Sequence, residues 1–264
     1  MPCRSALLRG VATLLFLVVP AAGAERLIDP GPFGPTSVRL EDGRVIPIPA
    51  ETHAFYRMLT QDGRIHGPKG APPSPDDVRE GIALRKRHEP GWAARFGSRL
   101  PAPESAYVFP VEDGRLPATS GYSRSHRAED LFAAPGRKVF APATMLIVHA
   151  GYLSKTAGEA VVGFVPRGPG QPKPRYLVLV HIDTRPAKEK IGQVVEAGSV
   201  VGWIAEGDEA LVGNALGRPP HLHFVIREEQ PDGTLRGIRI YDLLKRSRQP
   251  AGGAAIKAER AISS

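Results

Sequence analysis

A chain of 264 residues is long enough for one domain of ordinary size with attachments, or for two small ones. Its 35 Lys and Arg against 27 Asp and Glu leave a formal charge of +8, a balance that favours anionic partners, while no nucleic-acid-binding motif is present. One cysteine, Cys3, excludes a disulfide framework and a thiolate cluster, so any metal must be held by His, Asp or Glu.

The chain opens on a positive start, Arg4 and Arg9, followed by an apolar run from Gly10 to Pro20 and the small residues Ala22-Gly23-Ala24. This pattern predicts a secretory signal peptide over residues 1–24, because the apolar run is short for a bilayer span. Cleavage after Ala24 would remove Cys3, and with it Arg4 and Arg9, leaving a charge of +6. No later stretch is long and apolar enough to span a membrane. The expectation is an exported protein, periplasmic or secreted, without stable membrane insertion once cleaved. Its basic surface would suit anionic envelope polymers rather than nucleic acid.

Residues 25–105 form an N-terminal region that reads as mixed and partly helical. Val45 to Ile48 reads as a short strand interrupted by Pro47. Glu51 to Thr60 suits one short helix, and the Pro/Gly-rich stretch from Pro68 to Pro75 reads as a linker. Ser74 offers an N-cap, with Pro75 at the first helical position and Asp76 and Asp77 in the first turn. The helix they start is expected to reach about His88, its Arg85-Lys86-Arg87 end complementing the dipole. His53, His66 and His88 lack ligand-like spacing and read as surface or capping residues. No function is legible in this region.

From Tyr107 the chain becomes β-rich, with short apolar runs at Tyr107–Val111, Lys138–Ala141, Met145–Val148, Ala160–Val165, Tyr176–Val180, Val200–Ile204 and His221–Ile226. The fold class expected is mainly β: an antiparallel sheet with an open groove over residues 106–246. Pro166 to Pro174, with four prolines, reads as an extended loop and a rim to that groove. Asp208 to Leu216 suits one or two helical turns. A polar, flexible tail is expected over residues 247–264.

Three pieces carry chemistry. His221 and His223 lie two apart in an apolar run, so on a strand they face one space while Leu222 and Phe224 face a core. His126 and Asp130 are four apart between Gly121 and Pro135-Gly136, in a stretch that favours extended or looped backbone. His181 interrupts the run Val178-Leu179-Val180 and is costly there without a partner or a role. Zinc takes nitrogen and oxygen ligands tetrahedrally, and a catalytic site keeps one position for water. His126, Asp130 and one of His221 or His223 would supply three ligands, leaving the other histidine and His181 uncoordinated nearby. Bound zinc would acidify its water and polarise a carbonyl. The uncoordinated histidines would move the proton and donate to the oxyanion.

The order of these pieces resembles the lysostaphin/LytM-type zinc metallopeptidases, which cut peptide bonds in bacterial peptidoglycan. The family pattern has a histidine and an aspartate four apart, then A-P-x-G and V-x-A-P. Here it stands as His126-Arg127-Ala128-Glu129-Asp130, then Ala134-Pro135-Gly136 with one residue fewer, then Val139-Phe140-Ala141-Pro142. A strand ending in His181, a glycine-marked hairpin from Ile191 to Ile204, and H-L-H-F at His221–Phe224 complete it. The resemblance implies one zinc ion held by His126, Asp130 and His223. His181 and His221 would be the catalytic histidines, and stem peptides or cross-links of peptidoglycan the substrate. The activity implied is that of an exported zinc metalloendopeptidase using a zinc-activated water.

The chain departs from that pattern at Ala128 (usually glycine), Glu129 (usually apolar), Leu179 (often aromatic) and Val225 (often acidic). Glu129, Asp183, Glu228 or Glu229 are candidates for the outer partners that such departures remove. His149, in a strand-like run, has no role in the pattern and reads as structural. The Val194–Ile204 stretch also resembles a biotinyl-carrier hairpin, but Glu196-Ala197-Gly198 offers no lysine to modify. The alternative to an enzyme is a non-enzymatic module of the same type that binds the wall or activates another hydrolase.

Overall fold

The computed structural model describes residues 36–59, 73–99 and 106–250. The expected signal peptide, Cys3, His66, residues 68–72 of the linker and most of the expected tail lie outside the described residues. No described helix is long and apolar enough to cross a membrane.

The N-terminal part begins with a hairpin of β1 (Thr36–Arg39) and β2 (Val45–Ile48), followed by α1 (Ala50–Leu59) and α2 (Pro75–Ala94). The expected cap of α2 is a full capping box. The Asp77 N–H donates to the Ser74 hydroxyl (3.1 Å), and the Asp77 carboxylate accepts the Ser74 N–H (2.9 Å). The helix continues past His88 and through Pro90 to Ala94. A helical proline costs about 3 kcal/mol, which burial of Trp92 against Phe164 and Tyr176 offsets (ring centroids 5.5 and 6.3 Å).

The remainder is mainly antiparallel β. Its strands are β3 (Glu129–Phe132), β4 (Lys138–Phe140), β5 (Met145–Ser154), β6 (Gly158–Val165), β7 (Arg175–Val180) and β8 (Ile182–Asp183). They continue as β9 (Val194–Val195), β10 (Val200–Ile204), β11 (His221–Glu229) and β12 (Leu235–Gly237). Short helices α3 (Arg185–Lys188), α4 (Glu209–Val212) and α5 (Tyr241–Arg246) join them, with a 3₁₀ turn at Gly213–Ala215 after α4. The large sheet runs β12-β11-β7-β6-β5-β9, with β3 also on β11, and the small one runs β4-β10-β8.

Each face of the large sheet carries its own core, as period-2 strands require. Leu177, Leu179, Val161, Leu222, Phe224 and Ile226 face the small sheet and its Val139, Val201 and Ile204. Tyr176, Val178, Val180, Val162, Phe164 and Val225 belong to the core that holds Phe55, Met58, Leu59, Leu84 and Trp92 of α1 and α2. Buried arginines tie the helices down. Arg57 pairs with Asp77 (3.1 Å) and with Glu80, joining α1 to α2. Arg85 reaches Glu89 (2.7 Å), Glu229 (3.1 Å) and the Gly233 carbonyl (2.7 Å), joining α2 to the β11–β12 edge.

Several local expectations change. Tyr107–Val111 forms only isolated bridges at Val108 and Val111, because Pro110 breaks the run. The Ile191–Ile204 stretch is not a hairpin: β9 pairs with β5, whereas β10 pairs with β4 and β8, so the chain turns a corner between sheets at Gly198 (φ 88°). The 166–174 loop is no rim to the site. It precedes β7, and His181 follows that strand's far end, about 20 Å away at the strand rise per residue. Its Lys173 and Gln171 bond instead to the carbonyls of Glu229 and Pro166.

Candidate metal centre

The pairing of β11 with both of its neighbours assembles the site. Asp130 of β3 stands opposite His223 of β11, which stands opposite Val180 of β7. Residues paired across strands share a face, so the carboxylate and the imidazole lie in one row, with His181 just past its end. His221 joins them from two places back on β11, while Leu222 and Phe224 are fully buried on the other face, as alternation predicts. His126 arrives from the loop before β3. Its backbone is fixed by bonds to Ser123: the His126 N–H donates to Oγ (3.0 Å) and the Ser123 N–H to the His126 carbonyl (2.8 Å).

Three ligand-type atoms meet here. His126 Nε2 lies 3.2 Å from His223 Nδ1 and 3.3 Å from Asp130 Oδ1, and His223 Nδ1 lies 2.9 Å from that same oxygen. They form the one cluster of three His, Cys, Asp or Glu donors among the described residues with metal-binding spacing. Ligands about 2.0–2.1 Å from a tetrahedral zinc stand about 3.3 Å apart, so this triangle has the edge lengths that zinc requires. The donor set fits the ion in chemistry as well as in size.

The other two histidines are oriented by carbonyls. His181 Nδ1 lies 3.0 Å from the Ala157 carbonyl and His221 Nδ1 lies 2.8 Å from the Pro219 carbonyl. A carbonyl only accepts, so each ring carries its proton on Nδ1 and presents a bare Nε2. His221 Nε2 is 3.8 Å from Asp130 Oδ1, and the His181 ring centroid is 5.2 Å from that of His221 and 5.7 Å from that of His223. His181 also adopts a left-handed backbone (φ 66°), rare for a residue other than glycine and costing about 1–3 kcal/mol. Its N–H donates to the Glu159 carbonyl (3.2 Å), which helps hold it there.

Electrostatics keep these groups in useful states. Burial works to raise the Asp130 pKa, but hydrogen bonds from His126 and His223 outweigh it and hold the carboxyl well below its usual range. The bond to Asp130 pushes His126 up, against its own burial. Burial lowers His223 despite the same carboxylate, and burial with the neighbouring imidazoles brings His181 down to about 3. His181 is therefore a neutral imidazole across the physiological range.

The cluster opens into a cavity of about 260 Å³ with an apolar floor of Leu153, Val178, Val180 and Val225 and with Arg127 and Arg218 on its walls. A second cavity, of about 450 Å³, shares His181, His221 and Arg218 and extends past Glu206 and Pro219. The imidazoles of His181 and His221 thus stand where two clefts meet.

Of the proposed outer partners, only Glu129 reaches the site. Asp183 pairs with Arg185, Glu228 with Arg175 and Glu229 with Arg85. His149 lies apart from the cluster, stacked on Phe55 at 4.9 Å, and His88 stacks on Trp92. The carbonyls of Gly121, Ala157 and Pro219 escape a sequence reading, since a carbonyl carries no side-chain signal. Gly121 and Pro219 stood beside motifs, and Ala157 did not.

Neither a family model nor a curated protein sequence matches the chain. Solved structures do. The catalytic domain of lysostaphin from Staphylococcus simulans is 24% identical, with 50% of this chain and 89% of that one covered and a TM-score of 0.35. A protein named as glycyl-glycine endopeptidase lytM from Ruminococcus gnavus is 20% identical over 67% and 75% of the two chains, with a TM-score of 0.42. A protein named as a peptidase from Pseudomonas aeruginosa is 22% identical over 83% and 72%, with a TM-score of 0.37. At such scores the likeness assigns no role to any residue. The names among these neighbours are those of the lysostaphin/LytM type that the histidine motifs resemble.

Proposed function

We propose that this chain is an exported zinc metalloendopeptidase that hydrolyses peptide bonds in bacterial peptidoglycan, with residues 106–246 as its catalytic part. The observation that carries this reading is the triangle of His126, Asp130 and His223, with two further imidazoles turned by carbonyls so that Nε2 is free. The wall substrate follows from the motif resemblance and agrees with the positive charge of the chain.

His126 Nε2, Asp130 Oδ1 and His223 Nδ1 would hold the ion. When bound, zinc supplies Lewis-acid polarisation of a carbonyl and brings the pKa of a water towards about 7. The bare Nε2 of His221 or of His181 accepts a proton from the attacking water and returns it to the leaving amine. The ring that carries this proton becomes a donor to the oxyanion. The Ala157 carbonyl holds the proton of His181 on Nδ1 and so leaves Nε2 able to accept. Leu153, Val178, Val180 and Val225 floor the cleft with hydrocarbon, which strengthens these polar contacts.

The test is zinc content together with turnover. The mature chain should bind one zinc per molecule and release fragments from peptidoglycan, with the cleaved bond identified by mass analysis. His126→Ala, Asp130→Ala and His223→Ala should each lose the metal and the activity. Bound zinc without cleavage of any wall preparation would instead indicate a module that binds the wall or activates another hydrolase.

A further inference from the structure

Glu129, where the family pattern is usually apolar, is fully buried and forms no ion pair among the described residues. It stands opposite Phe224, so its side chain leaves the sheet on the face away from Asp130. An apolar residue there would pack beside Leu131 and Phe224 without the cost of desolvating a charge. The carboxylate is instead bonded to the loop that wraps the sheet edge. The Ser120 hydroxyl donates to Oε1, and the Gly121 N–H donates to Oε2 at 2.8 Å. The Gly121 carbonyl in turn accepts from His126 Nδ1 at 3.1 Å, the contact that turns His126 Nε2 towards Asp130 and His223. Gly121 is sandwiched between the two: a Cβ added to it would stand 3.5 Å from Glu129 Oε2 and 3.7 Å from His126 Nδ1.

Charge points the same way. A dication held by Asp130 and two neutral imidazoles would leave one positive charge in a half-buried site. A buried carboxylate without a cation is costly unless positive charge lies close by. Each of these two charges offsets the other.

We propose that Glu129 is a positioning residue for the metal centre: it holds the Ser120–Gly121 backbone against His126 Nδ1 and supplies the second negative charge that balances a bound zinc ion. The inference rests on the metal-centre reading above.

The experiment compares the full mature wild type with Glu129→Gln, Glu129→Leu and Ser120→Ala. Zinc affinity is measured by competition with a chelating dye, and unfolding midpoints are measured after chelator treatment. Both Glu129 variants should bind zinc about 10- to 100-fold more weakly. Metal-free Glu129→Gln should melt near the wild-type midpoint, because its amide oxygen can still accept the Gly121 N–H, whereas Glu129→Leu leaves that donor unpaired and should melt lower. Ser120→Ala keeps the charge and should weaken zinc by less. A merely structural role would lower the metal-free midpoint of Glu129→Gln together with its affinity, and that result would overturn the proposal. Zinc affinity of Glu129→Gln within twofold of wild type would overturn it equally, while leaving the metal centre intact. If the wild type binds no zinc, or if His126→Ala binds it as tightly as wild type, the metal-centre reading fails and takes this inference with it.

Discussion

His181 and His221 reach the site by different routes, yet both give Nδ1 to a carbonyl and leave Nε2 bare. Neither belongs to the triangle of ligand atoms. His181→Ala and His221→Ala are therefore expected to retain a full complement of zinc while turnover falls by about 10²- to 10⁴-fold, the usual worth of a positioned acid or base. Metal analysis beside a peptidoglycan-release assay checks this, and full activity in either variant would remove that residue from the mechanism. His149 supplies a separate prediction. Burial brings its pKa down to about 4, with Glu159 opposing and Lys188 reinforcing the shift. Between about pH 6.5 and 4 the unfolded chain binds this proton and the native protein does not, so the stabilisation present above pH 6.5 is lost as the pH falls through that window. His149→Phe keeps the ring stacked on Phe55 and removes the titration. Relative to this variant the wild type should lose about 1–2 kcal/mol on going from pH 7 to pH 4. The full shift corresponds to about 3 kcal/mol, and the ring's partial exposure reduces it. Parallel urea titrations measure the difference.

At the scale of elements, β11 organises the molecule, carrying two of the histidines and pairing with β3, β7 and β12. Its site end is held by the β3 register and its far end by α2 through Arg85. The Arg85 side chain is fully buried and shared between two carboxylates and a carbonyl. Arg85→Met would strip Glu89 of its cation and leave Glu229 only the exposed Arg167 at 3.9 Å, and breaking such a buried pair costs about 3–5 kcal/mol. The expectation is a loss of that size in denaturant unfolding, with zinc binding kept in the molecules that remain folded. Glycines matter in two of these joints. A Cβ at Gly81 would meet the Arg57 carbonyl at 2.1 Å, so α1 and α2 pack closely only with glycine there. A Cβ at Gly237 would meet the Arg127 carbonyl at 2.6 Å, beside His126.

For the whole molecule, α1 and α2 complete the core on the sheet face that also bears His126, Asp130 and His223. They cover Phe164, Tyr176 and Val162, and the cavity begins where Val178 and Val225 emerge beside them. The guanidinium of Arg227, which lines that cavity, donates to the Leu59 carbonyl at the end of α1 (2.9 Å). A chain starting near Pro103 would expose this aromatic face. It should therefore be recovered as aggregate, whereas the chain from residue 25 should elute as a discrete species in size-exclusion chromatography. A soluble, active truncation would show that the helices are dispensable.

Sequence alone determined what short-range physics controls. The i, i+2 spacing placed His221 and His223 on one face, because side chains alternate along any strand. The capping box at Ser74 and Asp77 marked the start of α2, because its partners are three residues apart. The expectation of His and Asp donors followed from the single cysteine and from the resemblance of the histidine motifs. Tertiary structure decided everything that needs a partner distant in the chain. Pairing of β3 with β11 set Asp130 against His223, and the left-handed turn at His181 aimed that ring into the same space. The separate pairings of β9 and β10, the run of α2 through Pro90 and the carbonyls behind the imidazoles were likewise fixed by long-range contacts. Backbone hydrogen bonds and core packing join residues far apart in sequence, and no local spacing encodes which of them will meet.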